Sequence, residues 1–108
     1  MAIEKSKINT NRTQLETVLP LQTPFSLYVD PSSACNFGCS FCPTGHPDLV
    51  GSAYTRRTLK FSLYKQLIDS LADFSQPLKV LRLNKIGEPT LNKRLVDMIS
   101  YAKQSGRV

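Results

Sequence analysis

Residues 35–42 read CNFGCSFC and contain all three cysteines of the 108-residue chain. The spacing is C-x3-C-x2-C, with the aromatic residue Phe41 directly before the last cysteine. Three thiolates this close in sequence can converge on one metal centre. A structural zinc site or an ordinary four-iron cluster is normally held by four protein ligands. Three cysteines therefore predict a metal centre with one open position, where a metal does chemistry rather than only holding a fold.

This spacing resembles the C-x3-C-x-aromatic-C signature of the radical S-adenosylmethionine (SAM) superfamily. The resemblance implies that Cys35, Cys39 and Cys42 hold a [4Fe-4S] cluster whose fourth iron binds SAM, and that Phe41 lies against the SAM adenine. In that family the reduced cluster cleaves SAM to methionine and a 5'-deoxyadenosyl radical, which takes a hydrogen atom from the substrate. The resemblance also implies an external electron donor of the flavodoxin or ferredoxin type. The substrate would be a small molecule, a peptide or a sugar.

The apolar pattern predicts two strands and two helices in the order βαβα. The strands are expected at residues 25–30 and 78–84, and the helices at residues 62–74 and between Asn92 and Gly106. Ser62 and Asn92 are the candidate N-caps, and Gly106 is the predicted stop of the second helix. The predicted inner faces of the helices are Tyr64, Leu67, Ile68 and Leu71, and then Leu95, Met98, Ile99 and Ala102. The second strand is apolar enough to be buried on much of both faces.

Two strands separated by a helix favour a parallel pair with a right-handed crossover. The cysteine motif follows the first strand, and Gly87-Glu88-Pro89 follows the second. Because all βα loops of a parallel sheet leave from the same edge, we expect these two motifs to face one pocket.

Gly87-Glu88-Pro89 also matches a Gly-Glu-Pro motif of many radical SAM enzymes, which implies that Gly87, Glu88 and Pro89 bind the methionine amino group of SAM. The sequence departs from the family at Lys85, where another glycine is common. This residue places a cation near the expected pocket mouth. We hypothesise that Lys85 faces an anionic group of the substrate.

The resemblance runs from about residue 25 to the last residue and implies the N-terminal βαβα portion of a partial (βα)6 TIM-like barrel. Residues 1–20 are polar and aperiodic and are expected to form a flexible arm, with residues 21–108 as a partial radical SAM core. The loop at residues 43–60 is expected to cover part of the cluster. Only two of six βα units are present, which indicates a fragment of a larger enzyme that is not catalytically competent alone.

A zinc site is the alternative interpretation. His46 lies four residues after Cys42 and could complete a Cys3His ligand set with Cys35 and Cys39. The chain would then be a small basic module that binds nucleic acid, in keeping with its net charge of +6. The basic residues are scattered rather than clustered, however, which argues against nucleic acid as a partner.

Cysteine usage and hydropathy indicate the cellular setting. Three clustered cysteines make a poor disulfide framework, whereas metal binding in a reducing cytoplasm fits their spacing. The sequence has no apolar run of about 18 residues, so we expect no membrane span and no membrane partner.

Overall fold

The computed structural model describes residues 13–46, 48 and 56–108. Its regular elements are strand β1 (Ser26–Tyr28), helix α1 (Phe61–Ser70), strand β2 (Val80–Arg82) and helix α2 (Leu95–Ser105). Short 3-10 turns occur at Leu15–Thr17, Pro43–Gly45, Leu71–Asp73 and Pro89–Leu91. None of the helices in this part of the chain combines the length and the hydrophobicity that a membrane span needs.

The two strands pair in parallel, as their separation by a helix predicted. Leu27 lies opposite Leu81, and Tyr28 lies opposite Arg82. Each regular strand has three residues, which is shorter than the apolar pattern suggested. The hydrogen bonds extend slightly further, since the Val29 amide donates to the Arg82 carbonyl at 2.8 Å. The parallel pairing places both following loops at the same edge of the sheet.

The prediction of a partial (βα)6 barrel is wrong. The described residues form two parallel strands and two helices, which is a small α/β domain. A barrel needs many strands with a consistent tilt and stagger, so that the sheet curves towards closure. Two strands of three residues do not generate that curvature.

The core lies between the helices and one face of the sheet. Its buried side chains are Tyr64, Ile68, Leu71, Leu78, Met98 and Ala102. Leu27 and Leu81 pack against this cluster from the two strands. The helical spacing of the buried residues in α1 matches the apolar periodicity of the sequence.

Two predictions of buried side chains are wrong. Val80 is 40% exposed, so β2 is not buried on both faces, and Ile99 is 47% exposed rather than on the inner face of α2. Among the described residues, the helices cover only the sheet face that carries Leu27 and Leu81. A two-stranded sheet is also narrow, so it covers one stripe of a helix rather than a broad face.

Both predicted N-caps are wrong, whereas the predicted helix stop is confirmed. Lys60 and Arg94 occupy the cap positions of α1 and α2, and neither side chain makes a capping hydrogen bond. Gly106 ends α2 with a φ of 70°, a conformation that glycine adopts without the steric cost of a Cβ. Helix starts are harder to place from sequence because capping depends on the local backbone path.

Two other expectations fall partly outside the described residues. The polar arm of residues 1–20 is described only from residue 13, where Thr13 accepts a hydrogen bond from Lys79 Nζ at 2.8 Å. The loop at residues 43–60 is described only at residues 43–46, 48 and 56–60. Its proposed role in covering a cluster therefore stays a prediction.

Tyr64 gives the core a pH-dependent stability. Its hydroxyl is buried and donates to the Met98 carbonyl at 2.9 Å. Burial raises the pKa of Tyr64 from 10.0 to about 12, because the phenolate is poorly solvated there. Above pH 10 the unfolded state loses this proton first, so the free energy of unfolding falls as the pH rises towards 12. The fall attributable to this group is on the order of 2–3 kcal/mol.

We predict that Tyr64→Phe lowers the free energy of unfolding by about 1–2 kcal/mol at neutral pH, because the Met98 carbonyl loses the hydrogen bond from the Tyr64 hydroxyl. The same variant should flatten the decline between pH 10 and 12. Denaturant titrations at a series of pH values measure both effects, and Tyr28→Phe, which removes an exposed hydroxyl, is the matched control. An equally steep alkaline decline in Tyr64→Phe and wild type would contradict this account.

Candidate functional site

The two loops that follow β1 and β2 contact each other through their backbones. We call residues 32–42 the cysteine loop and residues 87–89 the Gly-Glu-Pro turn. The Glu88 amide donates to the carbonyl of Ala34 at 2.9 Å. Ala34 directly precedes Cys35, the first cysteine. The two motifs therefore lie at the same edge of the sheet, as the parallel topology predicted, whereas the shared pocket stays a prediction.

Gly87 makes this approach possible. A Cβ added at Gly87 would lie 1.6 Å from the Ser32 carbonyl oxygen and 2.9 Å from the Ser33 Cα. Both distances are below any real Cβ contact, and both neighbours are backbone atoms that cannot rotate away. The glycine is therefore required by the close packing of two backbones.

Asp30 also joins the two loops, a role the sequence analysis missed. Its carboxylate accepts from the amide of Lys85 at 2.7 Å and from the amide of Ile86 at 3.3 Å. Asp30 thus fixes the backbone that leads into the Gly-Glu-Pro turn. An acidic residue between the end of a strand and a proline is the sequence feature that pointed to such a role. Its partners could not be predicted, because they lie 55 and 56 residues away in sequence.

Asn92 is buried and supplies a third link, instead of the helix cap that the sequence predicted. Its Nδ2 donates to the Pro31 carbonyl at 2.8 Å and to the Leu59 carbonyl at 3.1 Å. Its Oδ1 accepts from the Arg94 amide at 2.9 Å. One amide side chain therefore connects the residue before the cysteine loop, the approach to α1 and the approach to α2.

The segment before α1 holds the cysteine loop from the other side. Ser32 forms an isolated antiparallel bridge with Thr58. The Ser33 amide donates to the Arg57 carbonyl at 2.8 Å, and the Leu59 amide donates to the Pro31 carbonyl at 2.8 Å. The first residues of the cysteine loop are thus held between two neighbouring segments.

The cysteines themselves are held by local contacts. Cys35 Sγ accepts from the Phe37 amide at 3.4 Å, and the Cys42 amide donates to the Cys39 carbonyl at 3.1 Å. All three thiols are free, with Cys39 exposed and the other two partly buried. Within the described part of the chain, no three His, Cys, Asp or Glu side chains form a group arranged to hold a metal ion.

The chemistry of the donors nevertheless suits a soft metal. Hydrogen bonds from the side chain and the backbone of Thr44 lower the pKa of the Cys42 thiol. The Thr44 hydroxyl lies 3.2 Å from Cys42 Sγ. A lowered pKa favours the thiolate, which is the form that binds metals. Three sulfur donors are the ligand type that iron–sulfur clusters use.

The Phe41 ring is open to solvent. Its side chain is 89% exposed, so it is not a core residue. The implied contact with adenine stays a prediction, and the open aromatic ring is compatible with it. Phe37, in the same loop, is 59% exposed.

The Glu88 side chain has a structural partner within its own turn. It accepts from the Thr90 hydroxyl at 2.6 Å and from the Thr90 amide at 3.2 Å. These two hydrogen bonds lower the pKa of Glu88, so the carboxylate stays ionised at neutral pH. The side chain thereby caps the turn Pro89–Leu91, while the Glu88 amide bonds to the cysteine loop.

His46 folds back towards the cysteines. Its Nε2 lies 2.7 Å from the Ser40 carbonyl oxygen, within the loop between Cys39 and Cys42. Gly45 allows this return, since a Cβ there would lie 2.6 Å from the Cys39 carbonyl oxygen. The imidazole is therefore close to the cysteine motif, with one ring nitrogen engaged by backbone.

Comparison with known proteins gives one partial relative. No family model and no solved structure matches the chain. The chain is 31% identical over 81 residues to the tungsten-containing aldehyde ferredoxin oxidoreductase cofactor-modifying protein of Pyrococcus furiosus. The match covers 74% of this chain but only 21% of the relative. The chain thus spans about a fifth of the length of the relative it matches.

We predict that Gly87→Ala destabilises the chain by about 2–3 kcal/mol, because the two loops must separate to admit a methyl group. Gly38→Ala is the matched control, since an added Cβ there meets no described atom within 4 Å and the φ of Gly38 is not positive. This control should change stability by less than about 0.5 kcal/mol. Urea unfolding measures both variants. Equal stability of the two would show that the loops do not pack as described.

Proposed function

We propose that this chain is the cofactor-binding part of a radical SAM enzyme. Cys35, Cys39 and Cys42 hold a [4Fe-4S] cluster, and the Gly-Glu-Pro turn receives the amino group of SAM. The observation that carries the proposal is the hydrogen bond of 2.9 Å from the Glu88 amide to the Ala34 carbonyl. It supports a shared pocket because it joins the turn to the residue before Cys35.

Different residues would bind different parts of SAM. Backbone carbonyls of the Gly-Glu-Pro turn can accept hydrogen bonds from an ammonium group, and Gly87 lets that backbone approach closely. The exposed ring of Phe41 offers a stacking surface for adenine. A cluster held by Cys35, Cys39 and Cys42 would supply one-electron chemistry for the reductive cleavage of SAM, with the electron coming from an external donor.

The partial relative supports a proposal for the type of reaction. Its name describes a protein that modifies a cofactor. We therefore propose that the whole enzyme acts on a small-molecule cofactor or its precursor, with electrons from a flavodoxin or ferredoxin type of donor in the cytoplasm. The 108 residues alone are proposed to bind cofactors without completing turnover.

One observation favours a second candidate function. His46 lies 2.7 Å from the Ser40 carbonyl, beside the cysteine motif, which suits a Cys3His zinc site in a small nucleic-acid-binding module. In the zinc interpretation, the Gly-Glu-Pro turn has no chemical role. The two candidates predict different metals and different effects of His46→Ala.

Anaerobic reconstitution with iron and sulfide tests the proposal. The wild-type chain should take up about four irons, and its reduced paramagnetic resonance spectrum should change when SAM is added. Cys35→Ser, Cys39→Ser and Cys42→Ser should each lose most of the iron, because each removes one of only three ligands. His46→Ala should retain it. One tightly bound zinc per chain that disappears in His46→Ala would overturn the proposal.

Phe41→Ala tests the adenine contact separately. Stacking of a base on an aromatic ring contributes about 1–3 kcal/mol, so this variant should bind SAM at least about fivefold more weakly. Its iron content should stay at the wild-type level. Phe37→Ala removes a second exposed ring from the same loop and is the matched control. Equilibrium dialysis with labelled SAM measures the affinities, and equal affinities in the two variants would rule out the adenine contact.

A further inference from the structure

The sheet face opposite the core carries an aromatic ring and two cations. Tyr28 and Arg82 are register partners in the parallel pair. Side chains alternate between the two faces of a strand. Because Leu27 and Leu81 pack against the core, Tyr28 and Arg82 lie on the other face. The Tyr28 side chain is 51% exposed there.

Two cations share the ring of Tyr28. The guanidinium carbon of Arg82 lies 5.7 Å from the ring centroid, and Lys85 Nζ lies 5.7 Å from the same centroid. Among the described residues, an ion pair with a nitrogen–oxygen distance within 4.0 Å forms between Arg94 and Asp97. Neither Arg82 nor Lys85 has such a carboxylate partner in this part of the chain. Attraction to the ring favours both positions, because the face of an aromatic ring is electron-rich.

Asp30 is a carboxylate that lies near the positive charges of Arg82 and Lys85. Its oxygens accept from the backbone amides of Lys85 and Ile86, at 2.7 and 3.3 Å. Both hydrogen bonds go to the backbone, and in the described part of the chain no ion pair within 4.0 Å joins Asp30 to either cationic side chain. These bonds also fix Lys85 at the edge of the sheet where the cysteine loop begins.

We propose that Arg82 and Lys85 bind a phosphate group of the substrate, which is therefore a phosphorylated small molecule. That the phosphate belongs to a substrate rests on the proposed function. A phosphate near neutral pH carries up to two negative charges and can match both cations. The guanidinium fork of Arg82 pairs with two phosphate oxygens, and the Lys85 ammonium adds a point charge. Tyr28 keeps the two side chains in place, which reduces the entropy lost on binding.

The proposed phosphate site lies close to the proposed cluster in sequence. Lys85 lies two residues before Gly87, and Tyr28 lies two residues before Asp30. Lys85 and Tyr28 therefore lie near the edge of the sheet where the cysteine loop meets the Gly-Glu-Pro turn. A phosphate bound here leaves the rest of the molecule free to extend towards the proposed cluster. Phosphate contacts at this place would fix substrate orientation without taking part in the chemistry.

Calorimetric titration of the full chain with pyrophosphate tests the site. The double variant Arg82→Gln/Lys85→Gln should bind pyrophosphate at least about tenfold more weakly than wild type. The double variant Arg107→Gln/Lys103→Gln makes the same charge change at the end of α2 and should bind as wild type does. Equal weakening in both would overturn the proposal, because it would reflect net charge alone. Absence of wild-type binding at millimolar pyrophosphate would also overturn it.

Two further measurements make the outcome specific. Acetate at matched ionic strength should bind much more weakly than pyrophosphate, and equal binding would refute the phosphate assignment.

Iron content and SAM binding should be unchanged in Arg82→Gln/Lys85→Gln, and their loss would refute a role confined to the substrate. If the wild-type chain takes up no iron yet binds pyrophosphate through these residues, the anion site stands and the proposed function fails.

Discussion

The backbone contact between Gly87 and Ser32, with the adjoining hydrogen bond from Glu88 to Ala34, is the constraint on which the site depends. It joins loops that follow two different strands. A side chain at position 87 would separate them, because the nearest atom is a carbonyl oxygen rather than a flexible side chain. The parallel pairing of β1 and β2 brings the loops to one edge, and the missing Cβ lets them touch.

Asp30 and Asn92 extend this constraint to the residues around it. Asp30 fixes the backbone before the Gly-Glu-Pro turn, and Asn92 fixes the backbone before the cysteine loop. The cysteines lie further along and make mainly local contacts, such as that of Cys42 with Thr44. The base of the site is thus set by long-range hydrogen bonds, whereas the sulfurs are set by their neighbours in sequence. A metal that joins the sulfurs would couple its binding to the ordering of this loop.

The two strands present different chemistry on their two faces. Leu27 and Leu81 contribute to the apolar core, whereas Tyr28 and Arg82 form a polar and cationic surface with Lys85. Strand alternation produces both surfaces from adjacent residues. In the proposed enzyme, one face would stabilise the domain while the other would orient the substrate.

Patterns in the sequence were enough to predict two strands, two helices and the stop at Gly106, although not the exact helix starts or strand lengths. The spacing of Tyr64 and Ile68 predicted the buried stripe of α1. The order of strands and helix predicted the parallel pair and the shared edge at which the two motifs lie. The exposure of Val80 and Ile99, the absence of barrel curvature in the described residues and the role of Asn92 depend on contacts between distant segments of the chain. The reason is physical. A stripe or a turn depends on residues a few positions apart, whereas Asn92 bonds to a carbonyl 61 residues away, and burial depends on which neighbours cover a face.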